Sequence, residues 1–240
     1  MSSHNLSQIT TVIFDMDGTL IEHTWRLEQI CSELFNRFAG QLAPVTEEEF
    51  FDCYWRKSTD LWFMMIDQII DGETAARYGY INTLRTLEQD VSLAEPMLNT
   101  WQALVLEEAI PFADTYPVLR AVRAKYTTGI VTNGFTHFQR QKINKYHLAS
   151  EVDFTLVSEE AGYHKPDPRI FTAALELAGR PQPHQTIYVG DNLEADIHGA
   201  LAAGITPIFL NAKNGPVAPA GVRCIRHLTE LLQLLDLAVL

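Results

Sequence analysis

The sequence is poor in basic residues, in cysteine and in long apolar runs, and each shortage argues against a class of protein. Its 18 lysines and arginines face 30 aspartates and glutamates, which gives a formal net charge of −12. Duplex nucleic acid and anionic membrane surfaces select clustered Lys and Arg. We therefore expect no nucleic acid polymer and no membrane as partner, although a metal ion or a few local cations could still bind a small anionic substrate.

The cysteines and the chain ends indicate the compartment. Cys31, Cys53 and Cys224 are odd in number, far apart, and form neither a CxxC pair nor a metal-binding spacing. They are typical of free thiols in a reducing environment. The segment MSSHNLSQITTV lacks the basic and apolar regions of a signal peptide, and the most apolar stretches are too short to span a bilayer. The sequence thus predicts a cytoplasmic protein.

Six short runs rich in β-branched residues alternate with helical patterns, and turn residues bound each run. They are TVIFD (11–15), TGIVT (128–132), DFTLVS (153–158), TIYVG (186–190), TPIFL (206–210) and VRCIR (222–226). Strands that are almost continuously apolar are typical of a parallel sheet covered by helices on both faces. The sequence therefore predicts an α/β protein with a Rossmann-like, doubly wound parallel sheet.

Residues 21–110 interrupt this alternation. Apolar residues recur there at helical spacing and no convincing strand pattern is present. The clearest series is Leu27, Ile30, Cys31, Leu34, Phe35 and Phe38, and the four tryptophans (Trp25, Trp55, Trp62 and Trp101) also fall in this part. We predict a helical cap domain at 21–110, inserted after the first strand of a core formed by 1–20 and 111–240.

Polar residues follow three of the predicted strands at the point where each strand ends. Asp15 and Asp17 come at the end of the first, residues 132–134 (TNG) at the end of the second, and Asp191 directly after TIYVG. Lys165 lies in the loop GYHKPDP. Because ligands of an open parallel sheet bind beyond the carboxyl ends of its strands, we expect these residues to meet at one edge.

Together these residues fit a site for a divalent cation and a phosphate group. Carboxylate oxygens suit a hard cation such as Mg²⁺, which keeps waters for a substrate phosphate. Thr132 and the N–H groups of Asn133 and Gly134 could hold phosphoryl oxygens, while Lys165 offsets negative charge. Asp196 could be an outer partner of the metal or a cap on the next helix. Each motif alone is common in turns, and their order at strand ends is what indicates a site.

This ordered set of motifs resembles the haloacid dehalogenase superfamily over most of the chain. DMDGT (15–19) is similar to its first motif, Thr132 in IVTNG to its second, Lys165 in HKPDP to its third and VGDNLEAD to its fourth. The helical insert resembles the cap of the subfamily that contains phosphoglycolate phosphatases, β-phosphoglucomutases and nucleotidases. TNGFTHFQRQK and SEEAGYHKPDPRIF look most like pyrimidine 5′-nucleotidase-type house-cleaning phosphatases.

The resemblance implies a role for each matching residue. Asp15 would be the nucleophile that forms an aspartyl-phosphate, and Asp17 would protonate the leaving alcohol and then activate water. Lys165 and Thr132 would complete the catalytic set. The carboxylates of Asp15 and Asp191 and the backbone carbonyl of Asp17 would bind Mg²⁺. We also expect neighbouring charges to raise the pKa of Asp17, since an ordinary aspartate is a poor acid at neutral pH.

The predicted function is that of a Mg²⁺-dependent phosphatase. Its expected partner is a small phosphorylated metabolite, in first place a nucleoside 5′-monophosphate, and its expected state a monomer or homodimer. Alternatives are a phosphoglycolate-type or sugar-phosphate phosphatase and a phosphomutase, which keeps both aspartates. A 2-haloacid dehalogenase lacks the second acid of the first motif, which is present here as Asp17. A non-enzymatic binding module would fit a chain that has lost a catalytic position, and this chain has lost none.

Aromatic residues of the predicted cap are candidates for substrate contact. Trp25, Tyr54, Trp55 and Trp62 could stack a nucleobase, and the competing interpretation is that most of them pack the small core of the cap. Trp25 and Arg26 lie close to the entry of the chain into the cap. We therefore predict that Trp25 contacts the substrate.

Overall fold

The helices and strands were located in a computed structural model, which describes residues 6–22, 27–66, 69–212 and 216–238. The chain divides into two units: Met1–His23 with Ile110–Leu240, and Thr24–Ala109. We refer to them as the α/β unit and the helical unit. That the helical unit acts as a cap over an active site stays a prediction.

Six parallel strands form the sheet of the α/β unit. In chain order the strands are β1 (Thr11–Phe14), β2 (Ile21–Glu22), β3 (Ile110–Pro111), β4 (Thr127–Thr132), β5 (Phe154–Val157), β6 (Thr186–Gly190), β7 (Thr206–Leu210) and β8 (Arg223–Ile225). The sheet has the order β5-β4-β1-β6-β7-β8, and β2 pairs with β3 in a separate antiparallel ribbon. All six strands expected from the sequence lie in this sheet, so the predicted α/β fold is confirmed.

The register of the three central strands brings their carboxyl ends to one edge. Phe14, the last residue of β1, pairs with Ile130 of β4 and with Val189 of β6. Every residue of β1, β6 and β7 is buried, because the sheet is covered on both faces. The side chains that follow Phe14, Thr132 and Gly190 therefore begin beside one another.

Helices of the α/β unit cover the two faces of this sheet. They are α5 (Thr115–Arg123), α6 (Thr136–Lys145), α7 (Leu148–Glu151), α8 (Ser158–Ala161), α9 (Pro168–Leu177), a π-helix (Leu193–His198) that continues into α10 (Gly199–Ala202), and α11 (Thr229–Leu234); the helical unit holds α1 to α4, described next. Ile170 and Phe171 of α9 pack with Ile13, Val131 and Tyr188 of the sheet. This core anchors the strand ends on which the site is built.

The described part of the helical unit contains a short 3₁₀ helix (Val91–Leu93) and four long helices: α1 (Leu27–Leu42), α2 (Glu47–Ile66), α3 (Gly72–Thr86) and α4 (Ala94–Glu108). The helical spacing predicted over the Leu27 series is confirmed by α1. The start of α2 is fixed by reciprocal bonds, in which the Thr46 N–H donates to Glu49 Oε2 (2.9 Å) and the Glu49 N–H to Thr46 Oγ1 (3.3 Å). Among the residues that the structure describes, no helix joins enough length to enough apolarity to cross a membrane.

Candidate active site

Asp15 and Lys165 form the buried centre of the candidate site. Asp15 directly follows β1, and its N–H donates to the Val189 carbonyl (2.8 Å), which holds it against β6. The Lys165 Nζ lies 2.6 Å from Asp15 Oδ1 and 2.7 Å from Asp196 Oδ1, and these three side chains are almost fully buried. The sequence-based expectation that Asp15 and Lys165 meet at the sheet edge agrees with this geometry.

The Lys165 ammonium has an acceptor for each of its three protons. Besides the two carboxylates it donates to Tyr188 Oη (2.9 Å), whose own hydroxyl donates to the Val131 carbonyl (3.0 Å). The backbone of Lys165 is held by Asn133, whose Nδ2 donates to the Lys165 carbonyl (2.9 Å) and whose Oδ1 accepts from its N–H (2.8 Å). A phosphate oxygen that reached Lys165 would have to share or replace one of these bonds.

Two glycines leave the space that two further carboxylates occupy. A Cβ on Gly18, where φ is +88°, would lie 2.1 Å from Asp191 Oδ2, so this carboxylate lies directly over the Gly18 backbone. A Cβ on Gly190 would lie 2.4 Å from Asp196 Oδ2. Asp196 also accepts from the Asn192 N–H (3.0 Å). The next helix is capped by Asn192, which accepts from the N–H groups of residues 194 and 195, so Asp196 contributes to the Lys165 cluster rather than capping that helix.

The donor set fits a divalent cation. Asp15, Asp191 and Asp196 each offer an oxygen, and these oxygens lie within 4.8 Å of one another. Three ionised carboxylates beside one ammonium leave two negative charges unbalanced in a partly buried site. An oxygen-coordinated divalent cation would balance them.

The electrostatics of the cluster follow from this crowding. Burial raises the pKa of Asp15 well above its usual value, and Asp196 and Asp191 add to the rise while Lys165 opposes it. Burial alone would lower the pKa of Lys165, but Asp15 and Asp196 hold it well above the ordinary value. For Asp191, which still reaches solvent, partial burial and then Asp196 raise the pKa to about 6. A bound cation would lower the pKa of each carboxyl that it contacts.

Asp17 belongs to a second cluster, built with residues of α6. Its two carboxylate oxygens lie 2.7 and 2.9 Å from Lys142 Nζ. Gln139 Nε2 lies 2.8 Å from Asp17 Oδ2, 2.7 Å from Thr132 Oγ1 and 2.8 Å from the Asn133 carbonyl. The expected rise in the pKa of Asp17 stays a prediction.

The remaining predicted site residues are placed as follows. Thr132 is buried at the end of β4, and Asn133 and Gly134 form the next turn. The Gly134 N–H donates to Ser158 Oγ (3.0 Å), so this group is engaged within the protein. Trp25 lies outside the described residues, as does Arg26. The roles of these residues in catalysis, phosphate binding and metal binding stay predictions.

Three residues of the two clusters were not predicted from the sequence: Gln139, Lys142 and Tyr188. Gln139 and Lys142 are three positions apart, which places them on one face of α6 close behind the TNG turn. That spacing was available in FTHFQRQK, although nothing in it distinguishes a buried Lys142 from an exposed one. Tyr188 lies inside the apolar strand β6, and nothing in the sequence there indicates that its hydroxyl contacts the site.

A family model places the chain among known enzymes. Residues 9–204 match the model of the haloacid dehalogenase-like hydrolases. The chain belongs to this family, which confirms the resemblance carried by the four motifs. It is therefore an enzyme of the hydrolase class.

Two curated relatives are phosphatases of different kinds. Pyrimidine 5′-nucleotidase YjjG of Escherichia coli is 37% identical over 131 residues, an alignment that spans 54% of this chain and only 58% of that protein. The human N-acylneuraminate-9-phosphatase is 28% identical over 243 residues, with 98% of both chains covered. The first agrees with the resemblance to pyrimidine nucleotidases, and the second extends over the helical unit as well.

Solved structures of similar fold include hydrolases with different chemistry. The HAD-hydrolase YfnB of Bacillus subtilis, bound to magnesium, has a TM-score of 0.68 at 21% identity and covers 95% of this chain and 99% of its own. A 2-haloacid dehalogenase of Pseudomonas syringae has a TM-score of 0.74 at 24% identity, with 95% and 98% covered. At such identities the likeness establishes the fold alone.

Proposed function

We propose that this enzyme hydrolyses a small phosphate monoester through a phosphoryl group carried on Asp15. The family makes the chain a hydrolase, and the phosphatases among its relatives support a phosphoric monoester hydrolase. The observation that carries the proposal is the Asp15 carboxylate, which is buried at the end of β1 and bonded to the Lys165 ammonium at 2.6 Å. An anionic nucleophile can approach an anionic phosphate only where cations offset the repulsion.

Mg²⁺ is the cofactor that we infer for this site. Asp15 and Asp191 would hold it through their carboxylates and Asp17 through its backbone carbonyl, with Asp196 as an outer partner that also binds Lys165. Support comes from the unbalanced negative charge of the cluster and from the magnesium bound to YfnB. When bound, the cation would neutralise charge on the phosphoryl oxygens.

Asp15 and Asp17 would divide the reaction into two displacements. In the first, a carboxylate oxygen of Asp15 forms a bond to phosphorus, the ester P–O bond breaks, and Asp17 gives a proton to the leaving alcohol. In the second, Asp17 takes a proton from water, whose oxygen attacks phosphorus and releases inorganic phosphate and the Asp15 carboxylate. Covalent catalysis splits a very slow hydrolysis into two faster steps.

The second acid of the first motif favours phosphoryl transfer over dehalogenation. A dehalogenase displaces halide from carbon and needs no proton for its leaving group, whereas an alkoxide leaves poorly unless it is protonated. Asp17 is present, and Gln139 Nε2 contacts both its carboxylate and the Thr132 hydroxyl. We therefore place phosphate esters ahead of 2-haloacids.

A nucleoside 5′-monophosphate is the substrate that we propose first. Support comes from the identity to the E. coli pyrimidine nucleotidase, which falls within about half of each chain. The full-length likeness to the human sugar-acid phosphatase favours a phosphorylated sugar as the second candidate. Substrate choice would depend on the helical unit, with Trp25 as the proposed contact.

Turnover of p-nitrophenyl phosphate with Mg²⁺ tests the reaction class. We expect hydrolysis that EDTA abolishes and added Mg²⁺ restores. A panel of UMP, dUMP, dTMP, phosphoglycolate and a sugar phosphate then tests the substrate, with the highest kcat/KM expected for a pyrimidine nucleotide. No turnover of any ester would contradict the proposal, and preference for the sugar phosphate would favour the second candidate.

Trp25→Ala tests the proposed substrate contact. Its expected effect is a change of preference within that panel, with p-nitrophenyl phosphate hydrolysis retained. Equal losses of kcat/KM on every ester would argue against a role of Trp25 in specificity.

A further inference from the structure

Lys142 places a buried ammonium beside the candidate acid/base. Its side chain is 4% exposed, and its Nζ bonds both carboxylate oxygens of Asp17, at 2.7 and 2.9 Å. It also lies 4.7 Å from the centroid of the Phe138 ring. A lysine head group is seldom buried unless a specific partner compensates the lost hydration. Lys142 and Asp17 are 125 positions apart in the α/β unit, so the tertiary fold and not a local helix contact brings them together.

Gln139 links the Asp17 carboxylate to residues 132–134, the turn proposed to bind phosphate. Its buried Nε2 lies within 2.8 Å of Asp17 Oδ2, Thr132 Oγ1 and the Asn133 carbonyl. Gly134 makes room for it, because a Cβ there would come within 2.9 Å of Gln139 Cγ. One amide group thus fixes the distance between Asp17 and Thr132.

We propose that Lys142 and Gln139 are positioning residues that orient the Asp17 carboxylate for proton transfer to the leaving group. This inference rests on the proposed function. A carboxylate bonded on both oxygens cannot rotate without losing charge-assisted hydrogen bonds. General acid catalysis depends on such orientation, because the proton must reach one oxygen of the ester in a narrow range of geometry.

The leaving group separates this role from a general role in folding. p-Nitrophenolate is a stable anion and needs little protonation, whereas an alkoxide leaving from an alkyl phosphate needs the acid. We expect Lys142→Met to lower kcat/KM for a nucleoside 5′-monophosphate at least about tenfold more than for p-nitrophenyl phosphate. The inhibition constant of inorganic phosphate should stay near the wild-type value, since phosphate binding does not use the acid.

Lys145→Met is the matched control. It removes the same charge from the same helix, at an exposed position where the ammonium lies over the Tyr146 ring (4.9 Å). We expect the ratio of the two kcat/KM values to equal that of wild type. Gln139→Met should shift the ratio in the same direction as Lys142→Met, by a smaller factor, and serves as the test if Lys142→Met does not fold.

The outcomes separate the two proposals. A selective loss on the alkyl ester with normal phosphate inhibition supports the positioning role. Equal losses on both esters, or a large rise in the phosphate inhibition constant of Lys142→Met, would overturn it while leaving the phosphatase intact. If the wild-type protein hydrolyses neither ester, the proposed function is contradicted and this inference with it.

Discussion

The two units of this molecule bury different kinds of side chain. In the α/β unit, carboxylates and ammonium groups are buried, among them Asp15, Lys142, Lys165 and Asp196. Among the described residues of the helical unit no charged side chain is buried, and the buried residues that carry a hydroxyl are Tyr80 and Thr83, which donates to the carbonyl of Gly79 (2.8 Å). Buried charge is costly and pKa values shift where it gathers, which is typical of functional sites. The contrast supports the proposal that the reaction takes place in the α/β unit.

Two tyrosines of the helical unit pack into its core. The Tyr54 and Tyr80 rings lie 4.8 Å apart, and both pack into a cluster with Leu34, Phe50 and Leu84. Tyr54 therefore fits the packing interpretation, whereas Trp55 is 45% exposed. Of the stacking candidates, Trp25 and the Trp62 side chain lie outside what the structure describes.

Asp15→Asn is expected to have the largest effect and would test the contrast directly. Loss of the nucleophile should lower turnover by about 10⁴-fold or more. The melting temperature should change little, because Lys165 keeps Asp196 as a partner. Asp90→Asn makes the same chemical change in the helical unit, where Asp90 accepts from the Ser92 N–H and Asn can replace it as a cap. Substantial turnover by Asp15→Asn, measured as phosphate release, would place the nucleophile elsewhere.

Leu84→Ala should show the opposite pattern. Leu84 is fully buried in the helical unit, and its truncation should lower the free energy of unfolding by about 2–5 kcal/mol. Turnover of p-nitrophenyl phosphate per folded molecule should remain close to wild type. Val91→Ala, at a side chain 42% exposed, should change the free energy of unfolding by less than about 0.5 kcal/mol. Denaturant unfolding gives these values, and equal effects of both variants would show that the cluster is not a packed core.

Gly18→Ala should damage the metal site more than the fold. The new Cβ would overlap Asp191, so we expect Mg²⁺ to bind about tenfold or more weakly, roughly the loss of one good hydrogen bond to a charged group. A side chain at positive φ adds a cost of about 1–2 kcal/mol in stability. Gly162→Ala carries a similar φ of +74° with no atom within 4 Å of the new Cβ, so it isolates the backbone cost. Calorimetric titration with Mg²⁺ measures the difference, and equal affinities of the two variants would exclude Asp191 as a ligand.

The smallest predicted effect concerns pH. Because the pKa of Asp191 is raised from 3.8 to about 6 in the folded protein, the native state binds more protons than the unfolded chain between these values. Stability of the metal-free protein should fall as pH rises through this window, by about 1 kcal/mol after allowance for solvent screening. Asp191→Asn should reduce that slope, and its melting temperature should exceed that of wild type at pH 7 but not at pH 4. A wild-type slope unchanged in this variant would contradict the assignment.

Much of the site could be predicted because the end of a buried strand shows in the sequence as a change from apolar to polar residues. Runs such as TVIF and TIYVG are almost continuously apolar and stop at acidic residues, so a parallel sheet brings Asp15 and Asp191 to one edge. The short pairing of β2 with β3 was not predicted, since two-residue strands carry no periodicity. The buried state of Lys142 was also missed, because a lysine on an otherwise polar helix is usually exposed.

The sequence by itself determined the six strands, the burial of their apolar side chains and the order along the chain of the acidic, hydroxyl and basic residues that follow them. Only the tertiary structure decided how the charges pair: Lys165 with Asp15 and Asp196, and Lys142 with Asp17. The physical reason is that hydrophobic periodicity is a local property, whereas an ion pair depends on side-chain direction across loops. Those directions are set by close approaches such as Asp191 over Gly18, between residues far apart in the chain.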